Sequence, residues 1–282
     1  MRCQDILEWS ARLAGCREVP ADSQVYVEST ADLRRVLFGV DIEIGEILWA
    51  QREGFDAVIA HHPLGDRARL DFASVVARQV EQMCGEGIAE AVAQAALEKR
   101  LERIHRATHM SNVNHLVDTA RLVGMPLCNV HLACDIIGRQ TIIDLLQRRA
   151  SDATTVGDVI SWLGEIPEIA AAPLPPEAWL GRWGNRLGRW TVAMAGGTNG
   201  GHPVFREYYR VGVDSILAMH IAEDDLARLG DEVKDGQNLI ITGHMGTDSI
   251  GINRVVEGLE EQGIKVVRTS GIVGGAAGAL PR

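Results

Sequence analysis

Short apolar runs of strand length alternate with helical periodicities along this chain. Positions 36–40 read Val, Leu, Phe, Gly, Val and end at Asp41; Ile44, Ile47, Leu48 and Trp49 then recur at helical spacing until Gly54 stops the pattern. A second run, Ala57, Val58, Ile59 and Ala60, leads straight into His61, His62 and Pro63. Strand, helix and strand predict a βαβ unit, and runs apolar at every position predict parallel strands covered on both faces. The same order recurs near the C-terminus. A run over 238–242 leads to Gly243 and His244, a helix carries Ile252, Val255, Val256 and Leu259 on one face, Gly263 stops it, and a strand follows over 264–268. A further strand is predicted over 127–132, which includes His131, and a helix from about 138 to 149.

Between these runs, 72–122 is rich in Ala, Glu, Gln and Arg and free of proline, which predicts two or three long helices. Residues 167–176 hold four of the nine prolines and mark a boundary or an exposed connection. A strand over 190–194, a glycine-rich turn over 195–201 and a strand over 214–219 outline a second α/β unit. A short N-terminal strand at 25–27 is bracketed by Asp22 and Glu28, read as charges at a sheet edge. The expected architecture is α/β: two α/β domains with mixed or mostly parallel sheets covered by helices. One is formed by 1–149 plus 236–282, with a helical insertion at about 72–122; the other, 150–235, is inserted into it. No short-period repeat and no coiled-coil heptad stands out.

Composition removes several functional classes. Hydrophobic residues make up 46 % and charged residues 23 % of the 282 positions, as in folded globular chains. The net charge of −10 argues against a general nucleic-acid or anionic-membrane surface. The first residues contain no apolar block, and no run approaches the ~18 apolar residues of a membrane span, so a cytoplasmic protein is expected. Five cysteines include no Cys-x-x-Cys pair, which disfavours a disulfide framework or a thiolate zinc site. There is no Gly-x-Ser-x-Gly elbow for a nucleophilic serine.

The chemistry lies where strands end in histidine: at His61 and His62, at His131, and at His244. Carboxyl ends of parallel strands share one edge of a sheet, where open α/β folds bind ligands. His131 is followed four residues later by Asp135, and His244 by Asp248. Such a set of imidazoles and carboxylates suits Zn, Mn, Fe, Co or Ni without choosing among them. With water it would suit two divalent ions and hydrolysis. Asp41 is placed to orient a ligand histidine, and His131 or Asp41 to handle a proton. Other histidines carry less. His105 and His109 fit a solvated helix face, His202 a turn, and His220 follows a strand that can approach the cleft. The turn over 195–201 lacks the lysine and hydroxyl of a phosphate loop, opens no evident helix and reads as a tight turn.

With His61-His62-Pro63-Leu64 after a βαβ unit, His131-Leu132-Ala133-Cys134-Asp135, and Gly243-His244-Met245-Gly246-Thr247-Asp248, the chain resembles a known family. It looks like the dinuclear-metal proteins called GTP cyclohydrolase I type 2 homologues, or NGG-one-interacting-factor-three-like proteins. The resemblance implies two divalent metal ions held by His61, His62, Asp135, His244 and Asp248, with His131 close by, and a toroidal homohexamer around an internal cavity. The family usually carries glutamate where this chain has Asp248. The expected activity is hydrolysis of a nucleotide-like or small heterocyclic substrate, a small-molecule partner with no membrane or nucleic acid involved. The alternative is a non-catalytic metal-binding protein that regulates or engages a protein partner.

Overall fold

The elements form largely where the apolar runs predict them, and their connections decide what meets at the site. A computed structural model describes residues 1–194 and 199–275. In chain order the elements are α1 (Cys3–Leu13), β1 (Gln24–Val27), β2 (Arg35–Gly39), α2 (Ile44–Arg52), β3 (Ala57–Ala60), α3 (Asp66–Leu70), α4 (Phe72–Val76), α5 (Gln79–Gly85), α6 (Glu90–Met110) and α7 (His115–Val123). They continue with β4 (Leu127–Asn129), α8 (Leu132–Arg149), α9 (Val156–Leu163), α10 (Pro167–Ala171), β5 (Glu177–Leu180), β6 (Trp190–Val192), α11 (His202–Arg210), β7 (Ser215–Ala218), α12 (Glu223–Glu232), β8 (Asn238–Ile241), α13 (His244–Glu261) and β9 (Lys265–Thr269).

The strands form two mixed sheets, ordered β1-β4-β3-β2-β9 and β5-β8-β7-β6. Each is parallel except for one antiparallel edge strand, β1 on β4 and β5 on β8. Strand residues alternate between the two faces, as the pleat requires. In the first sheet Val36, Phe38, Ala57 and Ile59 face one core while Leu37, Val58 and Ala60 face another. In the second, Ile216, Ala218, Leu239 and Ile241 face one core and Leu217 and Ile240 the other. Helices α8 and α13 contribute to a core on each sheet: Cys134, Ile252 and Val255 on the first, Ile142, Leu145 and Ile250 on the second. They therefore form a middle layer sandwiched between the sheets.

Glycine sets the spacing inside that layer. A Cβ on Gly251 of α13 would lie 2.0 Å from the Cys134 carbonyl oxygen of α8, and one on Gly138 of α8 would lie 3.0 Å from the Thr247 carbonyl oxygen of α13. Only hydrogen atoms allow this approach. It draws Asp135 and Asp248, each one turn before such a glycine, towards one another.

Four expectations need correction. The strands at 238–241 and 265–269 flank a helix but belong to different sheets, so they make no βαβ unit. Because α13 is buried against both sheets, it carries the chain from one to the other. The strand at 127 ends at Asn129, and α8 begins at Leu132 rather than near 138, since the amides of Cys134 and Asp135 already bond to the His131 carbonyl. The helical insertion has one long helix, α6, with the short α4 and α5 before it and α7 after it, rather than two or three long ones. The glycine-rich segment does open a helix, α11; its residues 195–198 lie outside the described residues.

Candidate metal centre

Carboxyl ends of strands from both sheets face one narrow cleft, open to solvent and lined by His131, Asp135, Met194, His220, His244 and Asp248 among others. His61 and His62 follow β3, and His131 follows β4 and caps α8. His244 opens α13 after Gly243, whose φ of +90° is one a side chain would strain. The first sheet thus supplies His61, His62 and His131, while the end of β8 supplies His244 and Asp248 from the opposite side.

Three of these imidazoles are turned the same way by separate acceptors. His61 Nδ1 donates to the Val130 carbonyl at 3.0 Å, His62 Nδ1 to Asp41 Oδ1 at 2.6 Å, and His131 Nδ1 to Asp22 Oδ2 at 2.7 Å. A neutral ring whose Nδ1 donates carries its lone pair on Nε2. The three histidines form one group, and His62 with His244 and Asp248, and His61 with Asp135 and Asp248, form two further groups. Within each group the ligand atoms lie within 4.8 Å of one another.

His61 Nε2 stands 3.4 Å from Asp135 Oδ1 and 3.6 Å from Asp248 Oδ2. His62 Nε2 is 3.7 Å and His244 Nε2 3.1 Å from the same Asp248 oxygen. Yet His61 Nε2, Asp135 Oδ1 and Asp248 Oδ2, all buried, make no well-formed hydrogen bond among the described residues. An imidazole lone pair facing two buried carboxylates is costly unless a cation stands between them. Nitrogen and oxygen donors arranged this way suit a divalent ion, so the residues present fit a metal.

The electrostatics agree. Burial opposes the charge on His131, but Asp135, Asp22 and Asp248 outweigh it and raise the ring to about 9. Burial likewise opposes a charged His62, and the nearby Asp248 carboxylate and the hydrogen-bonded Asp41 outweigh it and raise its pKa. Burial would raise Asp248, but His61, His244 and His62 hold it well below the usual carboxylate range. His220 behaves oppositely: burial first, then the nearby His244, push it down to about 4.

All five residues expected to hold metal, together with His131, converge here, and Asp41 reaches His62 as expected of an orienting group. Asp22 was misread as an edge charge. It is fully buried and holds His131, because β1 is the antiparallel strand next to β4 and the chain entering it passes His131. Glu28, its companion in that reading, accepts from the amides of Cys3 and Gln4 at the start of α1. His220 lines the cleft with its ring 4.7 Å from that of His244. His202, expected in a turn, starts α11 and pairs with Glu232 at 3.1 Å. A further signal lay in the sequence itself: His-x-x-x-Asp-x-Ile-Gly stands twice, at 131–138 and at 244–251.

Fold and site together define a mixed α/β protein with a buried His/Asp cluster that could bind a metal ion. No family model and no curated protein matches the sequence. A NIF3 superfamily protein from Sphaerobacter thermophilus is 40 % identical, with a TM-score of 0.92 over 96 % of this chain and 98 % of its own. This chain belongs to the NIF3 superfamily. Reduced HcgD from Methanocaldococcus jannaschii (12 % identical, TM-score 0.58, covering 95 % and 97 % of the two chains) shares the fold. So does the protein TTHA1606 from Thermus thermophilus (15 %, TM-score 0.51, 99 % and 100 %). No described helix is long and apolar enough to cross a membrane.

Proposed function

We propose that this protein is a metal-dependent hydrolase whose centre takes two divalent ions and that it acts on a nucleotide-like or small heterocyclic substrate. The observation that carries this reading is the trio of buried atoms, His61 Nε2, Asp135 Oδ1 and Asp248 Oδ2, that face one another without hydrogen bonds. Two groups share Asp248: His62 and His244 complete one, His61 and Asp135 the other. That overlap supports one ion in each, drawn from Zn, Mn, Fe, Co or Ni. Divalent ions there would make a water more acidic and offset negative charge developing on the substrate.

The chain's own residues have separate parts. Asp41 turns His62 inward. Asp22 holds His131 at the cleft wall, with Nε2 3.8 Å from Asp135 Oδ2, and His131 is assigned to carrying a proton. The shorter Asp248 serves where the family resemblance implies glutamate, carried towards the centre by the glycine contacts that bring α13 close to α8. A cytoplasmic homohexamer belongs to the same proposal, on family grounds.

Metal analysis after repletion tests the reading, with two ions per chain expected and both lost in Asp248→Ala. Absence of bound metal in the parent protein overturns it. Metal without turnover above that of Asp248→Ala, across nucleotide, phosphoester and cyclic amide substrates, removes the hydrolase and leaves the metal-binding regulator.

A further inference from the structure

The segment between β3 and α7 carries α3 to α6, whereas in the second sheet α12 alone joins β7 to β8. The extra helices close a core on the second sheet, where Val76, Met83, Ala93 and Leu97 pack with Phe205, Ile216 and Leu239. They also border an open cavity of about 310 Å³ lined by Pro63, Arg69, Phe72, Ile104, Ala107 and Thr108. Sites for small molecules commonly fall in this size range, with apolar walls and few polar groups.

Two features give the cavity a ligand class. Its walls are apolar, formed by a proline ring, a phenylalanine ring, an isoleucine and an alanine methyl. Its cation is uncommitted: Arg69, half-buried, has no acid within 4 Å among the described residues, while the acids beside it are taken. Asp71 pairs with Arg67 at 3.2 Å and Asp66 with Arg121 at 2.6 Å. A guanidinium against an apolar wall selects a carboxylate, sulfonate or phosphate borne on a ring. The cavity is also next to the metal centre. Pro63 directly follows His62, and the Phe72 ring centroid is 6.0 Å from that of His131.

We infer that the helical insertion builds a subsite for an aromatic or heterocyclic group carrying one anionic substituent, with Arg69 binding the anion and Phe72 and Ile104 flanking the ring. Its role as the substrate-holding part of the centre rests on the proposed hydrolase; the binding site itself does not. The probe is anilinonaphthalene sulfonate, titrated by fluorescence against the repleted protein, with its sulfonate-free relative phenylnaphthylamine as the neutral comparison. One saturable site per chain is expected, weakened about tenfold or more by Arg69→Glu and by the cavity-filling Ile104→Trp, and left unchanged by Arg103→Glu on the helix that carries Ile104. Phenylnaphthylamine should bind more weakly and ignore Arg69→Glu. Equal binding to parent, Arg69→Glu and Ile104→Trp, or non-saturable binding, overturns the site. With Mn²⁺ in the centre, confirmed by metal analysis, the protons of the bound probe should relax faster. A loaded centre that leaves them unaffected overturns the link to the metal, whereas a centre that takes up no metal is the failure of the hydrolase reading.

Discussion

The two sheets are built on one plan and put to different uses. From the antiparallel edge inward, β1-β4-β3-β2 matches β5-β8-β7-β6, with β9 as an addition to the first. The strand next to the edge in each sheet, β4 or β8, leads into an 18-residue helix that begins at or beside a histidine, carries an aspartate one turn on and a glycine three residues later. Helices α8 and α13 then pack against one another at those glycines. The next strand, β3 or β7, differs: it is followed by the pair His61 and His62 in the first sheet and by Met219 and His220 in the second. Asp41 holds the ring of His62, while the Asn199 amide nitrogen lies 3.4 Å from His220 Nδ1. A carboxylate partner stabilises a cationic or ligating imidazole, and an amide does so far less. The end of β3 is thus equipped to ligate a cation and the end of β7 to present a neutral ring to the cleft.

The difference between the halves can be tested by substitution. The largest effect is expected from Gly251→Ala, whose new methyl meets backbone and should cost about 3 kcal/mol in urea unfolding, against about 1 kcal/mol for Gly138→Ala. Equal costs would deny that the α13 contact is the tighter one. For metal content, His62→Ala should lose one ion per chain while His220→Ala keeps both; loss of an ion from His220→Ala would make the halves equivalent. Asp41→Asn should leave the ligands in place but weaken metal binding about 10- to 100-fold in competition with a chelator. Unchanged affinity would reduce that bond to packing.

The smallest effect is a pH dependence in the metal-free protein. His131 is raised from 6.5 to about 9 in the fold, so its contribution is complete below pH 6.5 and is lost as pH rises through 9. His220 is lowered from 6.5 to about 4, so its contribution is present above pH 6.5 and is lost as pH falls through 4. Melting temperatures across pH 4 to 9 should therefore fall at both ends, with His131→Asn flattening the upper limb and His220→Asn the lower. A limb unchanged by its substitution would refute that assignment.

Much of the site is readable locally. An apolar strand that ends in histidine places an imidazole at a sheet edge whatever lies beyond, and a four-residue spacing sets an aspartate one helical turn from it. Asp22 could not be recognised this way, because it acts on His131 through a strand pairing more than a hundred positions away in sequence. The paired His-x-x-x-Asp-x-Ile-Gly segments are short and far apart, and their likeness acquires meaning only when the sheets are seen to share a strand order.

Hydrophobic period and residue chemistry over a few positions specify the strands other than β5, the helices α2, α8 and α13, a helical stretch after β3, and the inventory of nitrogen and oxygen ligands. Tertiary structure alone decided that β8 and β9 part company. Helix α13 is buried around much of its circumference, at Thr247, Asp248, Ser249 and Asn253 as well as at its apolar positions, so no single apolar stripe says to which sheet the chain returns. That choice sets a two-helix layer between the sheets and brings His244 and Asp248 across from His61 and His62. Bringing buried like charges together requires a cation, and no short stretch of chain can express that requirement.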